Sequence, residues 1–170
     1  MTSRSRVPNA VHLWQMAKPS TSLESDEALS ESWLSGTCKV LGLDAREFRS
    51  NLDLAFRVQQ GLPTESVESL LAHGIPEAEL FRAVISRRTF HRRKNEDQTL
   101  TAEESDRTER FARTLALAIL VLGDQERAVR WLMRDKKSLE GQTPLTMLAS
   151  GGGTRAVEEL LLQGYFGLVA

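Results

Sequence analysis

The most distinctive chemistry in this sequence is a run of cations. Between Arg82 and Lys94 the chain carries six Lys and Arg residues and no carboxylate. Such a cluster can bind phosphates, and an Arg side chain can also donate two hydrogen bonds to a guanine edge. The net charge of the whole chain is −1, so only this local excess of positive charge indicates contact with nucleic acid.

The residues before the cationic run favour DNA over the alternative, a solvated basic face that pairs with carboxylates elsewhere. An apolar helix is predicted around Leu80 and Phe81, a break follows at Ser86, and Arg87–Lys94 predicts a second short helix anchored by Phe90. A helix-turn-helix needs this arrangement, because its second helix enters the major groove. Many such motifs carry glycine in the turn, whereas this chain has Val-Ile-Ser there.

Each side chain of the second helix has an expected role. Arg88 can form a bidentate contact with guanine, and Thr89 can touch a thymine methyl group. Cations later in the helix neutralise phosphates, which positions a protein without reading sequence. We expect the DNA-binding residues to be Arg87, Arg88, Thr89, Arg92, Arg93 and Lys94.

No catalytic set accompanies these cations. His73 precedes a glycine and fits a helix C-terminus, and His91 lies among positive charges that would make it a poor base. Cys38 is the only cysteine, which excludes an internal disulfide and fits a reducing cytoplasm. The glycines at 151–153 precede no Gly-Lys-Ser/Thr motif, so we interpret them as a hinge rather than a phosphate loop. We expect no enzyme activity, no metal and no cofactor.

Helical periodicity continues along the chain, so the predicted fold is all-α. One stripe joins Phe48, Leu52, Ala55 and Phe56, and a Thr101–Glu104 capping box opens a helix that ends at Gly123. Thr154 is the expected cap of a final helix. No apolar run reaches the length of a membrane span.

Three segments follow from this periodicity. Residues 1–31 offer little to bury and predict a mobile N-terminal arm, with a misassigned start of the reading frame as the alternative. Residues 32–122 form the predicted helix-turn-helix domain, and residues 123–170 a small helical domain. Most aromatic residues of this last segment should be core, and an exposed tail from Tyr165 onward would be a recognition element for a partner.

Several separated motifs, in order over about residues 60–170, resemble the Xre/MbcA/ParS antitoxins of RES–Xre type II toxin–antitoxin systems. They are Ser86–Arg93, Leu100–Arg107, Gly123–Asp124, Ala128–Leu132, Leu139, Gly141, Thr143–Leu145, Leu148 and Val157–Leu161.

The resemblance implies an Xre/Cro-like N-terminal module that forms homodimers and represses its own operon through operator DNA. It also implies a C-terminal domain that covers the active site of a RES-domain toxin, an NAD-consuming or ADP-ribosyltransferase-like enzyme. Carried onto this chain, the toxin-binding residues are Trp131, Leu139, Pro144, Leu145, Tyr165, Gly167 and Leu168. A helix-turn-helix regulator without a toxin partner is the alternative function.

Overall fold

The computed structural model describes residues 22–167, and every regular element in that range is helical. This confirms the all-α prediction. None of the helices described there is long and apolar enough to cross a membrane. The helices are α1 (Ser22–Val40), α2 (Asn51–Gln60), α3 (Glu65–Ala72), α4 (Glu77–Ala83), α5 (Arg87–Asn95), α6 (Ala102–Leu122), α7 (Gln125–Leu132), α8 (Pro144–Met147) and α9 (Gly151–Tyr165). Short 3₁₀ turns cover Ala45–Glu47 and Lys137–Leu139.

The chain divides into two units, residues 1–31 and residues 32–170. Helix α1 begins at Ser22, inside the segment that the sequence predicted as a mobile arm. Its first turns are rich in Leu, Glu and Ala, which favour helix even where little can be buried. Low apolar content therefore concealed this helix. The rest of the predicted arm, residues 1–21, lies outside the described residues, and the domain boundaries stay a prediction.

Helix α6 is the central element of the second unit, where it packs against α2, α3, α7 and α9. Its predicted capping box is confirmed, because the Thr101 hydroxyl accepts from the Glu104 N–H at 3.2 Å and the Glu104 carboxylate accepts from the Thr101 N–H at 2.8 Å. Along this helix Phe111, Leu115 and Ala118 are buried and Leu122 is half-buried. Gly123 ends the helix with a φ of 89°, a left-handed conformation that favours glycine.

The apolar stripe expected on α2 is not the buried one. Leu54 and Val58 face the core, whereas Leu52 and Phe56 are 62% and 54% exposed. Both pairs have i, i+4 spacing, and periodicity alone cannot choose between two such stripes. Packing against α6 selects the smaller pair and leaves the larger one on the surface.

The predicted hinge at residues 151–153 is wrong, because these glycines form the first turn of α9. Ser150, rather than Thr154, caps the helix and accepts a hydrogen bond from the Gly153 N–H at 3.0 Å. Gly153 is buried, and a Cβ there would collide with the carbonyl oxygen of Met147. The glycine therefore permits a close approach between α8 and α9.

Candidate nucleic-acid interface and C-terminal surface

Helices α4 and α5 pack around a buried turn. The ring centroids of Phe81 and Phe90 lie 5.5 Å apart, and Phe90 is buried, as the sequence predicted. Val84 and Ile85 are buried in the turn itself. Val84 has a φ of −100°, so this turn needs no left-handed residue and hence no glycine.

Ser86 begins the second helix of this motif. Its hydroxyl accepts a hydrogen bond from the Thr89 N–H at 3.2 Å and lies 2.7 Å from the Thr89 hydroxyl. The Arg107 guanidinium donates to the Val84 carbonyl at 3.3 Å, which braces the turn from α6. Thr89 is half-buried, with its hydroxyl already paired, so its methyl group is the part suited to contact a base.

Most cations of α5 are exposed on the side away from Phe90, and several are held by carboxylates. Arg87 lies 2.9 Å from Glu77, and its guanidinium is 5.2 Å from the centroid of the Phe81 ring. Arg92 pairs with Glu96 at 3.1 Å, and Lys94 pairs with Glu68 of α3. Ion pairs this exposed are each worth about 0–1 kcal/mol, so phosphates can replace the carboxylates.

Arg88 differs from these neighbours. Its side chain is exposed, and within residues 22–167 no carboxylate pairs with it. A guanidinium with all its donors in water is the group best placed to make new hydrogen bonds.

Arg93 is directed inward instead. Its Nε lies 3.1 Å from a carboxylate oxygen of Glu104, with 15% and 14% of the two side chains exposed. Its Nη1 also donates to the Thr99 carbonyl at 3.3 Å. The structure therefore brings five of the six predicted DNA-binding residues to the outer part of α5 and places Arg93 between α5 and α6.

The predicted toxin-binding residues differ in their exposure. Leu139, Pro144 and Leu145 are buried and hold the C-terminal helices together. Tyr165 is 46% exposed at the end of α9. Gly167 follows with a φ of 66°, and Leu168 lies outside the described residues.

Phe166 extends the exposed surface at the end of α9, within the tail that the sequence predicted as a recognition element. It is 50% exposed, and its ring meets that of Tyr165 edge to face, with centroids 5.2 Å apart. Two exposed aromatic rings in contact form a patch that is costly to leave in water.

Trp131 is half-buried and lines a groove of about 650 Å³ beside the end of α7. The ammonium of Lys136 lies 4.6 Å from its ring centroid. The groove is lined by Leu122, Arg127, Arg130, Trp131, Met133, Arg134, Asp135 and Lys136. Sequence reasoning missed its basic members, although the density of Arg and Lys over residues 127–137 is a signal that could have found them.

Comparison with known proteins matches two family models to this chain. The antitoxin Xre-like helix-turn-helix domain matches residues 53–113, and the antitoxin Xre/MbcA/ParS C-terminal toxin-binding domain matches residues 116–164. A protein named Antitoxin Xre from Pseudomonas putida is 36% identical over 71% of this chain and 76% of its own length. Another of that name from Yersinia enterocolitica is 33% identical over 61% of this chain and 72% of its own length.

The chain belongs to the Xre antitoxin family. The helix-turn-helix model includes α4 and α5, so the exposed cations lie in the part of an Xre antitoxin that this model describes. The toxin-binding model includes the Trp131 groove and nearly all of α9. The two models adjoin inside α6, so this helix contains residues that each of them matches.

Proposed function

We propose that this protein is the antitoxin of a type II toxin–antitoxin system that binds a RES-domain toxin, covers its active site and represses its own operon. The observation that carries this proposal is that one long helix, α6, joins a helix-turn-helix with an exposed basic face to a domain of the toxin-binding family. Neither half needs chemistry of its own, because one binds DNA and the other excludes substrate from an enzyme.

The DNA half acts through the exposed side of α5. Arg88 reads a base, since its donors are uncommitted and a bidentate contact with guanine suits a guanidinium. Arg87, Arg92 and Lys94 exchange weak carboxylate contacts for phosphates, which positions the helix. Arg93 supports this surface through Glu104 rather than by touching DNA.

The toxin half acts through Trp131 and the end of α9. Tyr165 and Phe166 form an exposed aromatic pair at the start of the predicted tail, residues 165–170. An apolar tail of this kind can enter a cleft and displace water and substrate from it. The toxin that it covers consumes NAD or transfers ADP-ribose from it.

The exposed stripe on α2 supports a homodimer. Leu52 and Phe56 expose apolar surface to water. A second copy of the chain that packs on this surface would bury it. A two-fold dimer would present two α5 helices to two half-sites of an operator. Repression of an operon places the protein with the DNA, in the cytoplasm.

Two measurements on the unmodified chain test this proposal. The chain is co-expressed with a tagged copy of the protein encoded by the adjacent gene, and the chain alone is titrated onto its own promoter. We expect co-purification in a stable complex and a promoter affinity well above the affinity for random DNA. A chain that binds its promoter but never co-purifies with the adjacent protein would be a regulator without a toxin.

A further inference from the structure

The groove beside Trp131 has an unusual balance of charge and hydrogen-bonding capacity. Its lining contains four basic residues and a single acidic one, in a chain whose net charge is −1. Arg127 forms an ion pair with Asp124, the cap of α7, and Arg130 forms one with Glu126 in the same helix. In the part of the chain that the structure describes, no carboxylate pairs with Arg134 or Lys136.

Trp131 adds a further donor to this set. The other described tryptophan, Trp33, donates its indole N–H to the Arg113 carbonyl at 2.8 Å. Within residues 22–167 the indole N–H of Trp131 has no such acceptor. The groove is therefore lined by residues that carry an indole N–H, a guanidinium and an ammonium, which are all donors. A carboxylate accepts only, so it matches this set.

The basic residues of the groove affect one another's charged state. Partial burial and the nearby Arg134 lower the pKa of the Lys136 ammonium, and Asp135 opposes this effect. Lys136 stays above the Trp131 ring, a contact that satisfies its charge only in part. An anion in the groove would relieve the mutual repulsion of these cations, whereas another cation would increase it.

We infer that this groove receives an acidic side chain of the toxin, flanked by apolar residues that pack on Trp131 and on the exposed Met133. The inference rests on the proposed function, because it names the chemistry of the toxin surface that docks there. The lining also contains the apolar residues Leu122, Trp131 and Met133. A docked partner would shield a charge-assisted contact beside them from water, which makes such a contact stronger than at an open surface.

Charge reversal in the full-length chain tests this inference. The double variant Arg134→Glu/Lys136→Glu removes both unpaired cations, and the double variant Lys39→Glu/Arg46→Glu makes the same change of charge at exposed sites outside the toxin-binding domain. Affinity for the purified protein of the adjacent gene is measured by calorimetry at low and moderate salt, with circular dichroism as the control for folding. Promoter affinity is measured in parallel.

We expect the groove variant to bind the adjacent protein about 10- to 100-fold more weakly, to lose salt dependence, and to bind the promoter as the control does. Reversal of one acidic residue of the toxin to Lys should restore its affinity for the groove variant. Equal toxin affinities for the two variants would overturn the inference and leave the proposed function standing. A loss confined to promoter affinity would assign the groove to DNA and also overturn it. No complex with the unmodified chain would overturn both.

Discussion

Arg93 and Glu104 form the ion pair that joins the basic helix to the central one. The Nε of Arg93 lies 3.1 Å from the Glu104 carboxylate, and the same carboxylate oxygen accepts the Thr101 N–H that opens α6. One carboxylate therefore caps α6 and holds the end of α5. Two arginines of a single helix thus have different tasks, Arg93 in the fold and Arg88 on the surface.

Substitution of each arginine should separate these tasks. Arg88→Ala should weaken operator binding by about 1–3 kcal/mol, because the loss of a base contact costs that much. The urea midpoint should not change. Arg93→Ala should lower the free energy of unfolding by about 1–3 kcal/mol, because it leaves a largely buried carboxylate without its partner. Fluorescence anisotropy and urea unfolding measure the two quantities. Equal losses by Arg88→Ala on operator and random DNA would assign Arg88 to phosphate contact instead.

Gly153 should tolerate no side chain. Gly153→Ala places a Cβ against the Met147 carbonyl oxygen, and we expect a loss of about 1–3 kcal/mol in the free energy of unfolding, typical of overpacking. Gly152→Ala is the matched control, since a Cβ there meets nothing within 4 Å and alanine favours helix over glycine. Urea unfolding of both variants distinguishes a packed first turn from a flexible hinge. In a packed turn only Gly153→Ala should be destabilising, whereas in a flexible hinge the two substitutions should have the same effect.

The glycine run shows where sequence reasoning succeeds and where it fails. The cap at Thr101 is a local signal that the structure confirms, and Asp124 and Thr143 cap α7 and α8 in the same local way. The role of Gly153 depends on Met147, a contact between two helices that no local pattern contains. For the same reason, the periodicity of α2 could not show that the stripe with Leu54 is buried and that the stripe with Leu52 is exposed.

The candidate site divides in the same way. The cationic run predicted the position of α5, and the family motifs predicted the toxin-binding domain. Both signals consist of residue types and their spacing, which the sequence shows directly. The inward turn of Arg93 and the burial of Leu139 and Leu145 depend on which face each helix presents to its neighbours. The groove around Trp131 depends on a cation from the following loop, Lys136, and only the folded chain brings the two together.

Glu109 should make stability depend on pH. Burial raises the pKa of its carboxyl from 4.5 to about 7, with Glu158 and Asp106 adding to the rise and Arg113 and Arg110 opposing it. The folded state therefore holds this proton more tightly than the unfolded state. Its contribution to stability is full below about pH 4.5 and is lost as the pH rises through about 7.

Urea unfolding at pH 5 and pH 8 measures this effect. We expect the free energy of unfolding to fall by about 2–3 kcal/mol over this range, at about 1.4 kcal/mol per pKa unit. Glu109→Gln should remove most of the fall. Glu103→Gln, at an exposed position of the same helix, is the control and should keep the slope of the unmodified chain. An unchanged slope in Glu109→Gln would show that other groups cause it.

The exposed stripe on α2 should control oligomeric state. Leu52→Glu/Phe56→Glu places two charges in the proposed dimer interface, and we expect the dissociation constant of the dimer to rise about 100-fold. Both side chains are exposed in the single chain, so the urea midpoint of the monomer should not fall. Light scattering after size-exclusion chromatography gives the mass. Ser138→Glu/Gln142→Glu, at exposed positions elsewhere, controls for added charge, and a dimer that survives in both variants would place the interface on another face.

The most direct test of the antitoxin role is NAD consumption by the purified protein of the adjacent gene, measured alone, with the full chain, and with a chain trimmed after Gly164. The last buried core residue of α9 in the described range is Leu161, so the trimmed chain keeps its fold. We expect the full chain to stop NAD loss, the trimmed chain to leave much of the NAD consumption in place, and both chains to bind the promoter equally. Undiminished NAD loss in a complex with the full chain would contradict the antitoxin role.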